Sequence, residues 1–267
     1  MTTKRFVQGL IVTVALCLSA AAGRAQENRI FLMGGAASLG DKSSFTELYI
    51  PFTTSYANGG RGIVGVEVPL KKSKIFGFEG SYGFGQNNLK LANLEYTYAP
   101  VTSYGLRNNR VSGDLVVRSP SAYHGAHPYV VFGVEYDLFS ATGAAQSLAT
   151  TEGFAAEPTA KLSSNGSVGV NFGGGIDYKV TSRFDLRLDV REHIASSPTF
   201  GLPTSEPTTA GLAWFPVTGS AHILEYSIGI TYRFGKQGPG EAKPPKSHSE
   251  RTSRAKPSNR PTAWPQM

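Results

Sequence analysis

Residues 183–194 read Arg-Phe-Asp-Leu-Arg-Leu-Asp-Val-Arg-Glu-His-Ile, and their parity decides the fold. Phe184, Leu186, Leu188, Val190 and Ile194 fall on one side, interrupted by Glu192. Arg183, Asp185, Arg187, Asp189, Arg191 and His193 fall on the other. A period of two is the signature of a β-strand, whose side chains alternate between faces. Residues 224–234 repeat it, with Leu224, Tyr226, Ile228, Ile230, Tyr232 and Phe234 against Glu225, Ser227, Gly229, Thr231 and Arg233. Two further stretches, 130–139 and 168–180, do the same, and weaker versions lie at 29–39, 60–70, 74–85 and 109–118. Eight strands are expected.

Most of these stretches are ten or more residues long, whereas a globular strand averages about five or six. A strand that crosses a bilayer needs about 9–11. The polar face is mostly Gly and Ser with charges of both signs, as a narrow lumen requires; the other is aliphatic and aromatic, as lipid requires. The connections agree. Long segments (Gly40–Gly59, Gln86–Asn108, Ser140–Asn165, Ala195–Ile223) alternate with short ones (71–73, 119–126, 181–182), the pattern of outer-membrane barrels. An open sheet would leave unpaired backbone groups in hydrocarbon, so the strands must close. The expected fold is all-β: a transmembrane eight-stranded antiparallel up-and-down β-barrel, monomeric, with both termini periplasmic.

Composition narrows the function classes. Charged residues make up 17% of the chain, 31 residues are Gly and one is Cys, which excludes a disulfide scaffold and a coiled coil. The formal charge of +7 resides at the ends: residues 1–25 carry +3, 236–267 carry +5, and 26–235 carry −1. A nucleic-acid-binding core is therefore not expected. Lys4-Arg5, the apolar run 6–18 and the small residues ending at Ala25 read as a cleaved signal peptide, residues 1–25, which removes Cys17. The Pro-rich segment 236–267 reads as a disordered periplasmic tail whose basic charge suits anionic peptidoglycan.

The stretch His127-Pro-Tyr-Val-Val-Phe-Gly-Val-Glu-Tyr-Asp137 and the ending Tyr232-Arg233-Phe234 carry a resemblance. They resemble the small eight-stranded outer-membrane proteins grouped as OmpA-like, or "outer membrane protein β-barrel domain". The resemblance covers about residues 26–235. It implies residence among outer-membrane lipid and lipopolysaccharide, and it implies that Tyr232 and Phe234 form the signal read by the barrel-assembly machinery. One departure is the 33 residues after Phe234, where stand-alone members end; they are too few for the peptidoglycan-binding domain of two-part relatives.

Alternation nominates a lumen network of Glu135, Asp177, Arg183, Asp185, Arg187, Asp189, Arg191, Glu225 and Arg233, joined by Arg61, Glu67, Glu79, Asp114, Asp137 and Lys179. Buried charges persist only when paired. The arginine ladder on 183–191 is therefore expected to pair with acids on neighbouring strands, Glu225 and Asp177 among them. Gly173–Gly175 precedes no helix, so a phosphate loop is not expected. His124 and His127 share a short turn without a nearby acid, and no metal site or cofactor is expected. His193, Glu192, Ser196 and Ser197 at a strand end raise the question of a lipid A-modifying enzyme, but alternation turns His193 inward, away from lipid. The expected function is structural or surface-interactive and non-catalytic, with a narrow diffusion pore as the alternative and the lipid A enzyme as a remote one.

Overall fold

The computed structural model describes residues 27–40, 42–47, 50–70, 73, 75–93, 102–151, 162–201 and 219–235. The proposed leader and tail lie outside them. In chain order the elements are β1 (Asn28–Leu39), β2 (Lys42–Glu47), β3 (Ile50–Pro69), β4 (Phe76–Asn93), β5 (Thr102–Arg118), β6 (Ala126–Ala141), helix α1 (Gly143–Thr151), β7 (Asn165–Lys179), β8 (Phe184–Ser196) and β9 (Ser220–Phe234). Strands β3 to β9 pair in sequence order, every pair antiparallel, and β1 pairs with both β9 and β3. Eight strands thus close into an up-and-down barrel with no free edge in the wall. The short β2 extends the β1–β3 connection by pairing with residues 50–55 of β3.

The strands run longer than the alternation alone shows. β3, β4 and β5 have 20, 18 and 17 residues, against the 9–11 that cross a bilayer. The surplus lies at the end with the long connections, in segments such as Gln86-Asn87-Asn88. Polar on both faces, they carry no period-two signal. Main-chain pairing nevertheless continues there, because a hairpin ladder needs no apolar face to stay hydrogen-bonded. The 140–165 connection also contains α1, whose entry Thr142 Oγ1 caps by accepting a bond from the Ala145 N–H at 3.3 Å.

At the opposite end, hydroxyls make the tight turns. Ser73 Oγ accepts from the Ile75 and Phe76 N–H groups at 3.1 and 2.9 Å. Thr181 Oγ1 does the same for Arg183 and Phe184 at 3.2 and 3.0 Å. Both are side-chain mimics of a backbone turn.

Outside, the wall is apolar. Val168 is 74% exposed, Phe132 61% and Ile230 58%, part of a belt that includes Val64, Phe78, Phe84, Val134, Leu188 and Ile228. A continuous girdle of this kind far exceeds the few hundred Å² a soluble monomer exposes and matches a hydrocarbon-facing wall. No helix among the described residues is long and apolar enough to cross a membrane; the crossing is made by strands.

A closed barrel resists SDS until it is heated. The unboiled protein is expected to migrate faster than the boiled protein on an SDS gel of the outer-membrane fraction. A single unshifted band would contradict closure.

Candidate functional site

The inward faces of the strands fill the bore in layers. At its middle, Arg187 and Arg191 of β8 reach across to Glu79 of β4, with Nη2 atoms 2.7 Å from Oε2 and Oε1 respectively. In the ring of eight, β4 and β8 are diametrically opposite. Arg191 also donates to Asp114 at 3.0 Å and to Asp189 at 2.7 Å. Arg187 is fully buried; its Nε donates to the Tyr129 hydroxyl at 2.7 Å, and its Cζ lies over the Phe31 and Tyr129 rings, 4.4 and 4.5 Å from their centroids. Flat guanidinium groups stack and fork in ways an ammonium cannot, which suits arginine to this position.

The reason for crossing the bore lies in the register. Glu67, Glu79 and Asp114 stand side by side on β3, β4 and β5, an arrangement of like charges that destabilises a sheet unless a cation intervenes. The cations come from the far wall. Asp114 is further held by Ser112 at 2.9 Å and Asn171 at 2.8 Å. Glycines make the space: a methyl at Gly133 would overlap the Asp114 carboxylate, and one at Gly65 the Phe31 ring. Gly173 and Gly175 likewise sit against Arg191 and Tyr129, so the triple glycine is a packing feature of the wall.

Toward the turns, Arg118 binds Glu67 at 2.6 Å and also Asp177, which Arg29 approaches at 3.3 Å. Arg233 pairs with Asp185 at 2.6 Å and with Glu27 at 3.3 Å. Toward the long connections, Arg110 meets Asp137 at 3.0 Å, Glu225 at 3.2 Å and Glu135 at 3.6 Å, while Arg61 lies 3.7 Å from Glu225. His193 Nδ1 is 2.6 Å from Glu135.

Above this layer the bore ends in apolar packing. Ala37, Leu106, Phe139 and Ile223 from the strands meet Ala145 of α1 and Phe200 from the segment after β8. Phe200 and Gly201 both take positive φ, 54° and 81°, in the turn that contains Phe200. Gln146 clamps the cover by exchanging two bonds with Leu162, at 2.7 and 2.9 Å.

Several expectations need correcting. Arg183 is exposed in the β7–β8 turn and lies outside the lumen network; its carbonyl accepts from the Arg233 N–H at 2.8 Å. Strand β8 begins at Phe184, one residue later than parity suggests. The ladder also pairs differently: Glu225 faces Arg191 in register yet binds Arg110 and Arg61. Asp177 sits beside Arg187 at 3.8 Å, while its nearer partners are Arg118 and Arg29. Lys179 is half-buried at the strand end. Arg29, Arg110 and Arg118, central to the network, escaped the sequence reading although Arg110 and Arg118 share the parity of Asp114. The set His193, Glu192, Ser196 and Ser197 does not assemble, because His193 points inward and Glu192 outward. Tyr232 and Phe234 line the turn end of the wall, Tyr232 lying 5.2 Å from Phe184 and 6.4 Å from Phe234.

A closed barrel with an apolar girdle and a charged, filled bore defines a small integral outer-membrane protein. The chain matches the family described as "Outer membrane protein beta-barrel domain" over residues 9–234, and it belongs to that family. Among solved structures it is similar to Neisserial surface protein A, at 15% identity and a TM-score of 0.44, covering 77% of this chain and 97% of that one. It is also similar to Ail, the attachment invasion locus protein of Yersinia pestis, solved with the heparin analogue sucrose octasulfate, at 10% identity and a TM-score of 0.41 over 78% and 99%. A third is the N-terminal β-barrel domain of Pseudomonas aeruginosa OprF, at 12% identity and 0.36 over 79% and 100%. No curated relative matches the chain in sequence.

Removing one partner of a buried ion pair leaves the other charge uncompensated and costs about 3–5 kcal/mol. Arg187→Leu is expected to lower stability by about that amount, read as the urea midpoint of the heat-modifiable band in detergent micelles. Glu79→Gln should do likewise, and the double variant should lose less than the sum of the two, because the residues share one network.

Proposed function

We propose that this protein is a sealed envelope barrel that acts through its wall and outer loops, in a structural or surface-interaction role, with no chemistry in the bore. The observation that supports this reading is the filling of the lumen by cross-bore ion pairs beneath the cover formed with Phe200. An eight-stranded barrel is only wide enough for its own side chains. Here those side chains are hydrogen-bonded to one another. We further propose that the chain is exported by a cleaved leader, leaves both termini in the periplasm and sits as a monomer among lipopolysaccharide. On this reading Tyr232 and Phe234 are presented to the assembly machinery, and the basic tail lies against peptidoglycan.

A narrow pore is the second reading. It is favoured by buried polar atoms in the layer under the cover that make no hydrogen bond among the described residues: Nε and Nη2 of Arg61, both amide atoms of Asn108, Glu135 Oε1, Asp137 Oδ2 and His193 Nε2. Polar atoms of this kind call for water. Such a path would select cations, since nine carboxylates but six arginines are buried in the described residues.

Planar-bilayer recordings separate the two readings. The sealed barrel is expected to insert without conductance, and Phe200→Gly is expected to remain silent because the Arg110 and Arg191 layers lie beneath. Reproducible cation-selective steps from the wild-type protein would favour the pore.

A further inference from the structure

The one charged interruption in the apolar face of β8, Glu192, finds a partner on the outer wall. Glu192 Oε1 lies 2.9 Å from His222 Nδ1, and His222 Nε2 lies 3.2 Å from Ser220 Oγ. The three form a continuous chain of carboxylate, imidazole and hydroxyl. All three side chains are on the outward face, with His222 48% and Glu192 35% exposed. A hydroxyl within hydrogen-bond reach of a base that a third group orients is the arrangement that activates a nucleophile.

Position says what it would act on. Below His222 on β9 the outward residues are Leu224, Tyr226, Ile228 and Ile230, and below Glu192 on β8 they are Val190, Leu188 and Leu186, all exposed apolar side chains. Ser220 begins β9 at the end of the barrel with the long connections. The chain therefore stands at the upper limit of the hydrocarbon belt, the depth at which acyl chains join their headgroups. Gly219, just before the serine, has a φ of 112°, and among the described residues no atom lies within 4 Å of where a side chain would start.

We infer that Ser220, His222 and Glu192 form a hydrolytic relay on the lipid-facing wall, whose substrate is a carboxylic ester of a membrane lipid. Ser220 Oγ attacks the carbonyl carbon while its proton passes to His222 Nε2. The ester C–O bond then breaks, and the departing alkoxide takes that proton and leaves as the alcohol. Water adds to the acyl-serine with His222 accepting its proton; the fatty acid departs and the hydroxyl of Ser220 is restored. Ser220 and His222 are the catalytic residues, and Glu192 is a positioning residue that holds the imidazole in one tautomer. This chemistry uses the outer wall alone and leaves the sealed bore intact.

The test uses the folded full-length protein in detergent micelles, with heat-modifiability checked for each variant. A fluorophosphonate probe is expected to phosphonylate Ser220, located by peptide mass mapping, and Ser220→Ala should abolish the label. In mixed micelles the wild type should release fatty acid from phosphatidylethanolamine, from lipid A, or from both; which arm responds identifies the ester. Ser220→Ala and His222→Ala should lower that release by about 100-fold or more, as loss of a nucleophile or its base does. Glu192→Asp should retain at least about ten-fold more activity than Glu192→Gln, a rescue that a purely structural role for the carboxylate would not produce. A folded wild type that neither labels at Ser220 nor releases fatty acid in either arm overturns the inference. So does release that Ser220→Ala leaves unchanged.

Discussion

Everything in the bore depends on one span: two arginines of β8 closing on one carboxylate of β4, the strand opposite. Arg187 and Arg191 lie 108 and 112 residues from Glu79 in the chain, so the contact cannot form until the barrel has closed. Once closed, the geometry leaves little slack. An eight-stranded ring has a diameter that a pair of side chains can just bridge, and arginine has the length and the forked donors to bridge it. The glycines follow from this span. Where a guanidinium or a carboxylate crosses, the wall behind it must recede, as at Gly133 behind Asp114 and Gly173 behind Arg191.

The same closure explains how like charges are tolerated side by side. Glu67, Glu79 and Asp114 form an acidic row across three adjacent strands. An isolated three-stranded sheet with that row would be unstable. The far wall supplies the cations, so each half of the barrel is a poor sheet alone and a good one in company. Folding of such a chain should therefore be cooperative around the ring.

Sequence parity read the wall well and the pairing badly, for a physical reason. A period of two tells which face a side chain takes. On β8 and β9 the two faces differ so sharply that lumen and lipid are separated residue by residue. It says nothing about which groups meet across a cavity, since that depends on register and closure together. Arg191 faces Glu225 on the adjacent strand yet reaches past it to β4. Arg110 and Arg118 were missed because the outward face of β5 carries Asn109 and Gly113 among its valines, which blurs the contrast. The cover over the bore was illegible for another reason: Phe200 reaches it through a turn with positive φ, a local choice that leaves no periodic trace.

A bore filled in this way directs function outward. Opening a path along the axis would mean parting the Arg110 cluster, the Glu79 bridge and the Arg118 pairs together, at about 3–5 kcal/mol for each charge stranded. That sum approaches or exceeds the whole stability of a typical domain, about 5–15 kcal/mol. Rearranging groups on the outer wall parts none of these pairs. Glu192 and His222 are half-exposed and can exchange partners with a lipid headgroup without disturbing any pair inside. The polarity of the wall makes the same point from the other side. A carboxylate in an apolar lipid-facing row is costly unless paired, and here its partner is an imidazole that in turn meets a hydroxyl. Of the two places where the described residues gather ionisable groups, the inner one is tied down by its own neighbours. The outer one stands on the exposed wall, where the proposed hydrolysis would part no pair in the bore.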